Sequence, residues 1–427
     1  MSLERIAAAV RAGEVDPLDL VEQALRRAEE TAALNAVVHL DPDGAREAAR
    51  QVRRGALAGV PVLVKEIIEV EGLPFRCGSA SMNEIATRDA EIVTRLRAAG
   101  AIVIGLSLSH EFAYGCTGTS NRLGPCRNPH DHTRMTGGSS AGAGAAVAAG
   151  VVPLAIGTDT AGSVRIPAAL CGVVGYKPAR GTLPIDGVFP LAQSLDHVGV
   201  LTNSVADAVY AVNSLSSTDA GSAVEAPRLG LVSNPEHGDH SEEVGKTWSA
   251  AITRLRAAGA RMQEIELPDW STTNRTAVDL QGPEAVANHA GRSTEAYQPD
   301  VRQRLREAAE VPAWRYVQAR AEAAELTTRV ANRFGEVDAL ILPTIPVVAP
   351  PIDAVADADG SVAVRARLMR NTRLANLTGF PAFSIPLPTT GLPVGLQVIA
   401  GSNQVAAQVS LWIERILDFE ELSGLAR

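Results

Sequence analysis

The chain is poor in cysteine and in long apolar runs. Its 427 residues include four cysteines, and no two of them form a Cys-x-x-Cys pair. This argues against a disulfide framework and against the commonest zinc and redox sites. The longest run of low polarity, residues 141–157, is interrupted by glycines and by Pro153, and it falls short of a membrane span. The first five residues lack the basic start and apolar stretch of a signal peptide, so we expect a cytoplasmic protein without a membrane partner.

Positive charge is also scarce. The formal net charge is −9, and no block of Lys and Arg forms a phosphate-binding stripe, so direct binding of nucleic acid is not expected. Lysine occurs only three times, at Lys65, Lys177 and Lys246, and the other 36 of the 39 basic residues are arginines. Arginine does not give up its proton in proteins, whereas a buried lysine does so readily. A lysine in this chain is therefore a candidate for proton transfer.

What remains is the composition of a globular protein, with 46% hydrophobic and 20% charged residues. Residues 1–55 have helical patterns, including an Asp16-Pro17 helix start. The other predicted elements are strands at residues 59–70, 101–105, 228–232 and 338–346, a helix at residues 89–100 and an acidic loop at residues 351–363. This alternation predicts an α/β fold with a mixed sheet. We found no repeat and no clean linker, which favours one domain.

Glycine is concentrated around two serine-containing segments. Nine of the 37 glycines fall within residues 137–175, which include GGSSAG at 137–142 and GTDTAGS at 157–163. Small residues around a serine permit close approach of a substrate carbonyl and let backbone N–H groups converge on it. Such donors stabilise an oxyanion and contribute about 10²–10³-fold in rate each. Either segment alone is also typical of a structural turn.

The two segments occur together with further motifs in a fixed order. These are GVPVLVK at residues 59–65, GPCRNPHD within residues 124–134, SLDHVG at 194–199, NLTGFP at 376–381 and GLPVGLQVI at 391–399. The combination resembles the amidase signature family. The resemblance implies the amidase signature fold, a large, twisted, mixed β-sheet covered by α-helices on both faces. It implies a single domain over residues 1–427, with N-terminal helices at 1–55, a signature core at about 59–200 and a helical and C-terminal part at 201–427.

The resemblance also assigns the site. Ser163 is expected to be the nucleophile, Ser139 the bridging serine after a cis peptide bond, and Lys65 the base. The expected oxyanion donors are the backbone N–H groups of Thr160, Ala161, Gly162 and Ser163. Lys65 lies among apolar residues, and burial lowers the pKa of a lysine in the direction that a base requires. The implied chemistry needs no metal and no cofactor.

The implied activity is hydrolysis of a small-molecule carboxylic amide through an acyl-enzyme, releasing an acid and ammonia or an amine. The main alternative is the glutaminase (A) subunit of a tRNA-dependent amidotransferase, and the third is a non-catalytic binding protein. A homodimer is the family-level expectation.

The sequence departs from the family pattern at Glu66-Ile67, Ala141 and Ala161, which puts the substrate subgroup in doubt more than the chemistry. Residues 112–119 and 275–325 are expected to form the pocket walls. Gly138 and Arg165 are candidates for substrate contact, and the alternative for Arg165 is an ion pair with Asp159.

Other residues offer competing interpretations. Ser140 matches Gly-x-Ser-x-Gly, but that motif needs a hydrophobic strand before it, and residues 127–132 are not expected to form one. His130 and His132 could suggest a metal site, yet no third ligand is evident. His197 and Lys177 are better explained as packed or structural residues than as catalytic ones.

Overall fold

The computed structural model describes residues 1–216, 218, 224–233, 239–267 and 270–417. Within this part of the chain the helices are α1 (Leu3–Ala12), α2 (Pro17–Glu30), α3 (Pro42–Gln51), α4 (Glu91–Ala98), α5 (Ala141–Ala148), α6 (Arg165–Cys171), α7 (Val205–Leu215), α8 (Glu242–Ala257), α9 (Trp270–Asn288), α10 (Pro299–Ala309), α11 (Ala313–Arg333), α12 (Ala358–Met369), α13 (Arg373–Leu377) and α14 (Asn403–Leu417). The strands are β1 (Val37–Leu40), β2 (Pro61–Lys65), β3 (Pro74–Phe75), β4 (Glu84–Ile85), β5 (Ile102–Ser107), β6 (Arg127–Asn128), β7 (Asp131–Met135), β8 (Leu154–Thr158), β9 (Val174–Lys177), β10 (Val198–Thr202), β11 (Arg228–Val232), β12 (Arg261–Ile265), β13 (Ala339–Pro343), β14 (Ala382–Pro386) and β15 (Gly395–Ala400).

One large sheet joins strands from both halves of the chain. In the described residues it has eleven strands in the order β1-β5-β2-β8-β10-β9-β14-β15-β13-β11-β12. Strand β2 is parallel to β5 and β8, and β11 is parallel to β12 and β13, while the remaining pairs are antiparallel. The expected mixed α/β sheet is therefore confirmed.

Helices cover both faces of this sheet. Successive side chains of a strand point to opposite sides, so each buried strand contributes to the core on both faces. Along β2, Val62 and Val64 join a core cluster that includes residues of α1, α4, α7 and α14. Leu63, between them, joins a second cluster with residues of α2, α3 and α5. Leu340 of β13 joins a third cluster with α9 and α11. The predicted two-sided arrangement is confirmed.

The sequence predicted single helices and strands correctly where local interactions determine where they begin. Asp16 caps α2 by accepting a hydrogen bond from Leu18 N at 3.0 Å, and Pro17 occupies the first turn, as predicted. Two predictions were wrong. Residues 1–55 contain the edge strand β1, which pairs with β5 through an irregular register. Residues 351–363 are not a loop throughout, because α12 begins at Ala358 after the cap Asp357.

None of the helices in the described residues is long and apolar enough to cross a membrane.

Candidate active site

The site begins at the carboxyl end of β2. Lys65 is the last residue of this strand and has no exposed surface. Its Nζ lies 2.7 Å from Ser139 Oγ and 2.8 Å from Thr158 Oγ1. Thr158 ends β8, the parallel neighbour of β2, so both residues reach the same edge of the sheet. The structure thus brings together a buried amine and two hydroxyl groups.

Burial decides the charge of this lysine. Desolvation lowers the pKa of Lys65 to about 7, although the carboxylates of Asp159, Asp196 and Glu66 oppose the shift. The predicted burial is present, and the direction of the pKa shift agrees with the prediction. At neutral pH a substantial fraction of the amine is unprotonated and able to accept a proton.

Ser139 is held by the segment that follows β5. The Gly138–Ser139 peptide bond is cis, as the resemblance implied. His110 N–H donates to the carbonyl oxygen of Ser139 at 3.0 Å. A Cβ on Gly138 would lie 2.9 Å from Gly118 N, so only glycine fits there without a shift. The hydroxyl of Ser139 is thereby fixed beside Lys65.

Ser163 lies in the turn between β8 and α6. Its carbonyl oxygen accepts a hydrogen bond from Ser140 N at 3.2 Å, which places its backbone against the Ser139–Ser140 segment. Ser163 is 5% exposed, whereas Lys65 and Ser139 are completely buried. Of these three predicted residues, Ser163 is therefore the one with some exposed surface.

Asp159 organises the loop before Ser163. Gly162 N–H donates to Asp159 Oδ1 at 2.8 Å, and Val164 N–H donates to Asp159 Oδ2 at 3.1 Å. Gly162 has a φ of +119°, and a Cβ there would lie 2.3 Å from Thr372 Oγ1, so this position requires glycine. Because its N–H is already donated to Asp159, Gly162 is not a free oxyanion donor in this structure, contrary to the sequence expectation.

The other three N–H groups of the loop differ from that of Gly162. In the part of the chain that the structure describes, no acceptor is found for the N–H groups of Thr160, Ala161 or Ser163. Ala161 does not need the positive φ that glycine favours, so its replacement of the family's usual glycine leaves the loop unstrained. The loop therefore retains donors that could meet a carbonyl oxygen.

Arg165 had two interpretations, and the structure shows the ion pair with Asp159. Its Nη2 lies 2.9 Å from Asp159 Oδ1, and both side chains are fully buried. The remaining hydrogen bonds of its guanidinium go to Asp159 Oδ2, the Thr372 carbonyl, Gln397 Oε1 and Asn376 Oδ1. With all five N–H donors used inside the protein, Arg165 has none left for a substrate carboxylate.

This ion pair sets the charge of Asp159. Burial by itself would raise the pKa of Asp159, but the charge and hydrogen bonds of Arg165 keep that pKa well below its usual range. The carboxylate therefore stays ionised and holds the loop around Ser163 at all ordinary pH values.

Ser140 has a structural place. Its Oγ donates to the Thr158 carbonyl at 3.1 Å and accepts from Thr158 N at 3.2 Å. The preceding residues do form a short strand, β7, but it is polar and forms a two-stranded sheet with β6, outside the large sheet. The hydrophobic strand that a Gly-x-Ser-x-Gly nucleophile needs is therefore missing at this position.

The histidines that could suggest other chemistry are engaged elsewhere. His130 Nε2 lies 2.9 Å from the Cys171 carbonyl, and His197 Nδ1 lies 2.6 Å from the Leu195 carbonyl. Burial lowers the pKa of His197 well below its usual value, so this ring is neutral. Within the described residues, no group of three or more His, Cys, Asp or Glu side chains is placed to hold a metal ion.

A narrow cleft opens beside the Lys65–Thr158 contact. It is lined by Ile67, Ala113, Thr158, Thr160, Ile185, Val188, Phe189, Leu191, Asp196 and His197. Both stretches predicted as pocket walls lie next to it: Ala113 lines the cleft, and the rings of His289 and Tyr297 pack on Phe112 with centroids 4.7 Å away. The walls are mostly apolar, with hydroxyl groups on the side of the loop.

Sequence reasoning missed two residues that shape this site. Thr158, the second partner of Lys65, lies inside the GTDTAGS segment and could have been proposed from the alternation along β8. Asn376, in the NLTGFP motif, donates to Asp159 Oδ1 at 2.8 Å. Its role could not be predicted, because it comes from a segment 217 residues further along the chain.

Known proteins resemble this chain along most of its length. The sequence model of the family called Amidase matches residues 19–405. The chain is 35% identical to 2-amino-5-chloromuconic acid deaminase of Comamonas testosteroni, over 96% of this chain and 94% of the relative. It is 33% identical to a glutamyl-tRNA(Gln) amidotransferase subunit of Deinococcus radiodurans, over 94% and 93% of the two chains. A crystal structure of an amidase superposes with a TM-score of 0.91 at 34% identity, covering 98% of this chain and 100% of the other. The chain belongs to the Amidase family of hydrolases.

Proposed function

We propose that this chain hydrolyses the C–N bond of a small carboxylic amide through an acyl-enzyme on Ser163. The observation that carries the proposal is the 2.7 Å contact between Nζ of fully buried Lys65 and Oγ of Ser139. A buried lysine with a pKa of about 7 is a base, and a hydroxyl beside it is a route for the proton of a neighbouring nucleophile.

In the first step, Ser163 Oγ forms a bond to the carbonyl carbon of the amide. Its proton passes to Ser139 Oγ, and the proton of Ser139 passes to neutral Nζ of Lys65. The negative charge that develops on the carbonyl oxygen is stabilised by the N–H groups of Thr160, Ala161 and Ser163, each worth about 10²–10³-fold in rate. Gly162, engaged with Asp159, is left out of this set.

In the second step, the proton on Lys65 returns through Ser139 to the amide nitrogen, and the C–N bond breaks. Ammonia or an amine leaves, and the acyl group remains on Ser163 as an ester. Water then attacks this ester and gives its proton to Lys65 by the same route. Collapse of the second intermediate returns that proton to Ser163 Oγ and releases the acid.

The substrate contact predicted for Gly138 belongs to this proposal. A Cβ on Gly138 would lie 2.9 Å from Gly118 N, so the space beside it is filled by protein backbone, and the proposed contact with the substrate comes from the backbone of Gly138 itself.

The first test is ammonia release across primary amides, including glutamine, urea derivatives, aryl amides and alkyl amides. Peptide mass spectrometry after quenching should find the acyl adduct on Ser163. The matched controls are Ser163→Ala, which should lose both adduct and turnover, and Ser140→Ala, which should keep the adduct. An adduct on Ser140, or turnover that survives Ser163→Ala, would exclude the proposed nucleophile.

A second candidate function is that of the glutaminase component in a tRNA-dependent amidotransferase. The 33% identity to the glutamyl-tRNA(Gln) amidotransferase subunit of Deinococcus radiodurans, over nearly the full length of both chains, favours it. The two functions separate in one measurement, because such a component should release ammonia from glutamine only with its partner subunits present. Turnover of other amides by the isolated chain would favour the first function.

A further inference from the structure

Asp196 lies where the loop before Ser163 meets the wall of the cleft. It belongs to the SLDHVG segment at residues 194–199, and it lines the cleft together with Thr158 and Thr160. One carboxyl oxygen, Oδ1, accepts the hydroxyl hydrogen of Thr160 at 2.6 Å. The proposed mechanism gives Asp196 no role, although this contact joins it to a residue of the loop.

The other carboxyl oxygen is anchored to the backbone of the wall. Asp196 Oδ2 accepts hydrogen bonds from the N–H groups of Leu191 and Ala192, both at 3.0 Å. Leu191 also lines the cleft. Because these two bonds fix the carboxyl group, the hydroxyl of Thr160 is held by an acceptor that is itself held in place. Asp196 therefore connects the wall of the cleft to the loop.

The N–H group of Thr160 has a direction that the structure defines. It has no acceptor among the described residues. In a trans peptide unit the N–H points opposite to the C=O. The C=O of this unit belongs to Asp159, and it accepts hydrogen bonds from His197 N–H at 3.1 Å and from Asn376 Nδ2 at 2.8 Å. The N–H of Thr160 therefore points away from these two donors.

This peptide unit is held at both of its ends. His197 and Asn376 hold the carbonyl oxygen of Asp159, and Asp196 holds the other end through the side chain of Thr160. The bonds on either side of a peptide unit rotate easily, so a unit that is held at one end can still turn. An oxyanion donor is effective when it is already aimed and needs no reorganisation during the reaction. The second hold on this unit therefore matters for the chemistry.

We propose that Asp196 is a positioning residue: it holds the hydroxyl of Thr160 and thereby aims the Thr160 N–H at the carbonyl oxygen of the substrate. This inference rests on the proposed amidase function, in which that N–H is one of the oxyanion donors. Asp196 acts in this role only through Thr160.

The kinetic test removes the hydrogen bond from each side. Thr160→Val keeps the backbone N–H and the branched shape of the side chain but loses the hydroxyl, and Asp196→Ala loses the acceptor. On the fastest amide of the panel, each should lower kcat by about 10- to 100-fold, a part of what one oxyanion donor supplies, and leave KM within about threefold. The double variant should be no slower than the slower single variant, because both changes remove the same contact. Thr160→Ser, which keeps a hydroxyl, should restore most of kcat.

A thioamide tests the role of the N–H group more directly. Sulfur is a weak hydrogen-bond acceptor, so the thioamide made from the same amide gains less from the oxyanion donors. The ratio of kcat for the amide to kcat for the thioamide should fall about tenfold in Thr160→Val. If both substrates slow equally and the ratio is unchanged, the contact supports only the fold and the inference is wrong.

The matched control is Glu284→Gln. Glu284 Oε2 accepts from Ser194 N at 2.9 Å, in the same wall segment as Asp196, and its Oε1 accepts from the hydroxyl of Tyr316 at 3.0 Å. Among the described residues, no hydrogen bond joins Glu284 to residues 159–163. This variant should leave kcat within about threefold of wild type and the ratio unchanged. A loss as large as that of Asp196→Ala would overturn the specific role of Asp196.

Hydrogen exchange separates this inference from the proposed function, because it needs no substrate. The N–H groups of Asp159 and Gly162 are bonded to the His197 carbonyl and to Asp159 Oδ1, each at 2.8 Å. Exchange in the peptide that covers residues 158–164 should be faster in Thr160→Val and Asp196→Ala than in wild type, and unchanged in Glu284→Gln.

The outcomes of the two measurements are distinct. If no amide is cleaved but exchange changes in this way, the amidase function fails and the hold of Asp196 on the loop stands. If amides are cleaved and neither the exchange nor the ratio changes, the inference is wrong and the amidase function stands. If no amide is cleaved and exchange is unchanged, both are wrong.

Discussion

Lys65 and Lys177 are both buried at strand ends, yet their surroundings differ. Both have no exposed surface, and burial lowers the pKa of each. Lys65 Nζ meets two hydroxyl groups at 2.7 and 2.8 Å, whereas Lys177 Nζ donates to the Pro178 carbonyl at 3.1 Å. A lowered pKa is therefore common to both lysines, and the two neighbouring hydroxyl groups are what distinguish Lys65 as a candidate base. The third lysine, Lys246, is exposed.

The largest effect that separates the two lysines should come from removing each amine. Lys65→Met should lower kcat by about 10³-fold or more, because among the described residues Lys65 is the one base in hydrogen-bond contact with Ser139 Oγ. Lys65→Arg should be nearly as inactive, since a guanidinium does not give up its proton. Steady-state kinetics on the best amide measures both. Lys177→Met is the control and should stay within about threefold of wild type; a comparable loss there would erase the distinction.

The pH dependence of kcat/KM should sharpen the comparison further. The pKa of Lys65 is lowered to about 7, so the amine is charged below this pH and neutral above it. Activity should therefore fall on the acidic side, by about tenfold for each pH unit below pH 7. Initial rates between pH 5 and 9 in a constant-ionic-strength buffer measure this limb.

Asp196 offers a competing explanation for the fall of kcat/KM below pH 7, which we call the acidic limb. Burial raises the pKa of its carboxyl group to about 7. Asp196→Asn and Lys177→Met should both keep the acidic limb. Its disappearance in Asp196→Asn would assign the titration to the carboxyl group and not to Lys65.

The hydroxyl of Thr158 should have a smaller effect. Thr158→Val removes one of the two hydroxyl partners of Lys65, so the amine is less well directed toward Ser139, and kcat should fall about tenfold. The acidic limb should also move to lower pH, because the charged amine loses an acceptor. The measurement is the pH profile, and Thr158→Ser should retain the wild-type profile. A lower kcat without a shift of the acidic limb would mean that Thr158 contributes only through packing.

The smallest effect should be one that the two lysines share. The folded-state pKa of each is depressed, so between that pKa and about 10.4 the unfolded chain binds a proton that the folded chain does not. Stability is therefore lost as pH falls through this window and is regained as pH rises. Lys65→Met and Lys177→Met should both raise Tm at pH 8, by about 2–5 °C, as followed by circular dichroism. Lys246→Met, at an exposed position, should not.

Much of the fold could be predicted from the sequence, because the features that decide it are local. Asp16-Pro17 starts α2 as expected, and the strand predicted at residues 228–232 coincides with β11. Strand β1 was missed because its four half-buried residues gain their structure from pairing with β5, and no local signal marks that contact.

The candidate site was only partly accessible to sequence reasoning. The motif order named Lys65 and Ser139, and the structure places them in contact, while their catalytic roles and that of Ser163 stay predictions. The donation of Gly162 N–H to Asp159 depends on the path of the loop, which the motif does not specify.

Arg165, the partner of Asp159, also has a consequence for how the chain folds during its synthesis. Arg165 bonds to the carbonyl of Thr372 and to Gln397, at sequence separations of 207 and 232 residues. During synthesis, the loop around Ser163 leaves the ribosome long before these partners exist. A growing chain therefore holds every proposed catalytic group while it still lacks the contacts that fix their geometry. We therefore expect the proposed hydrolytic activity to appear only once the C-terminal strands have joined the sheet.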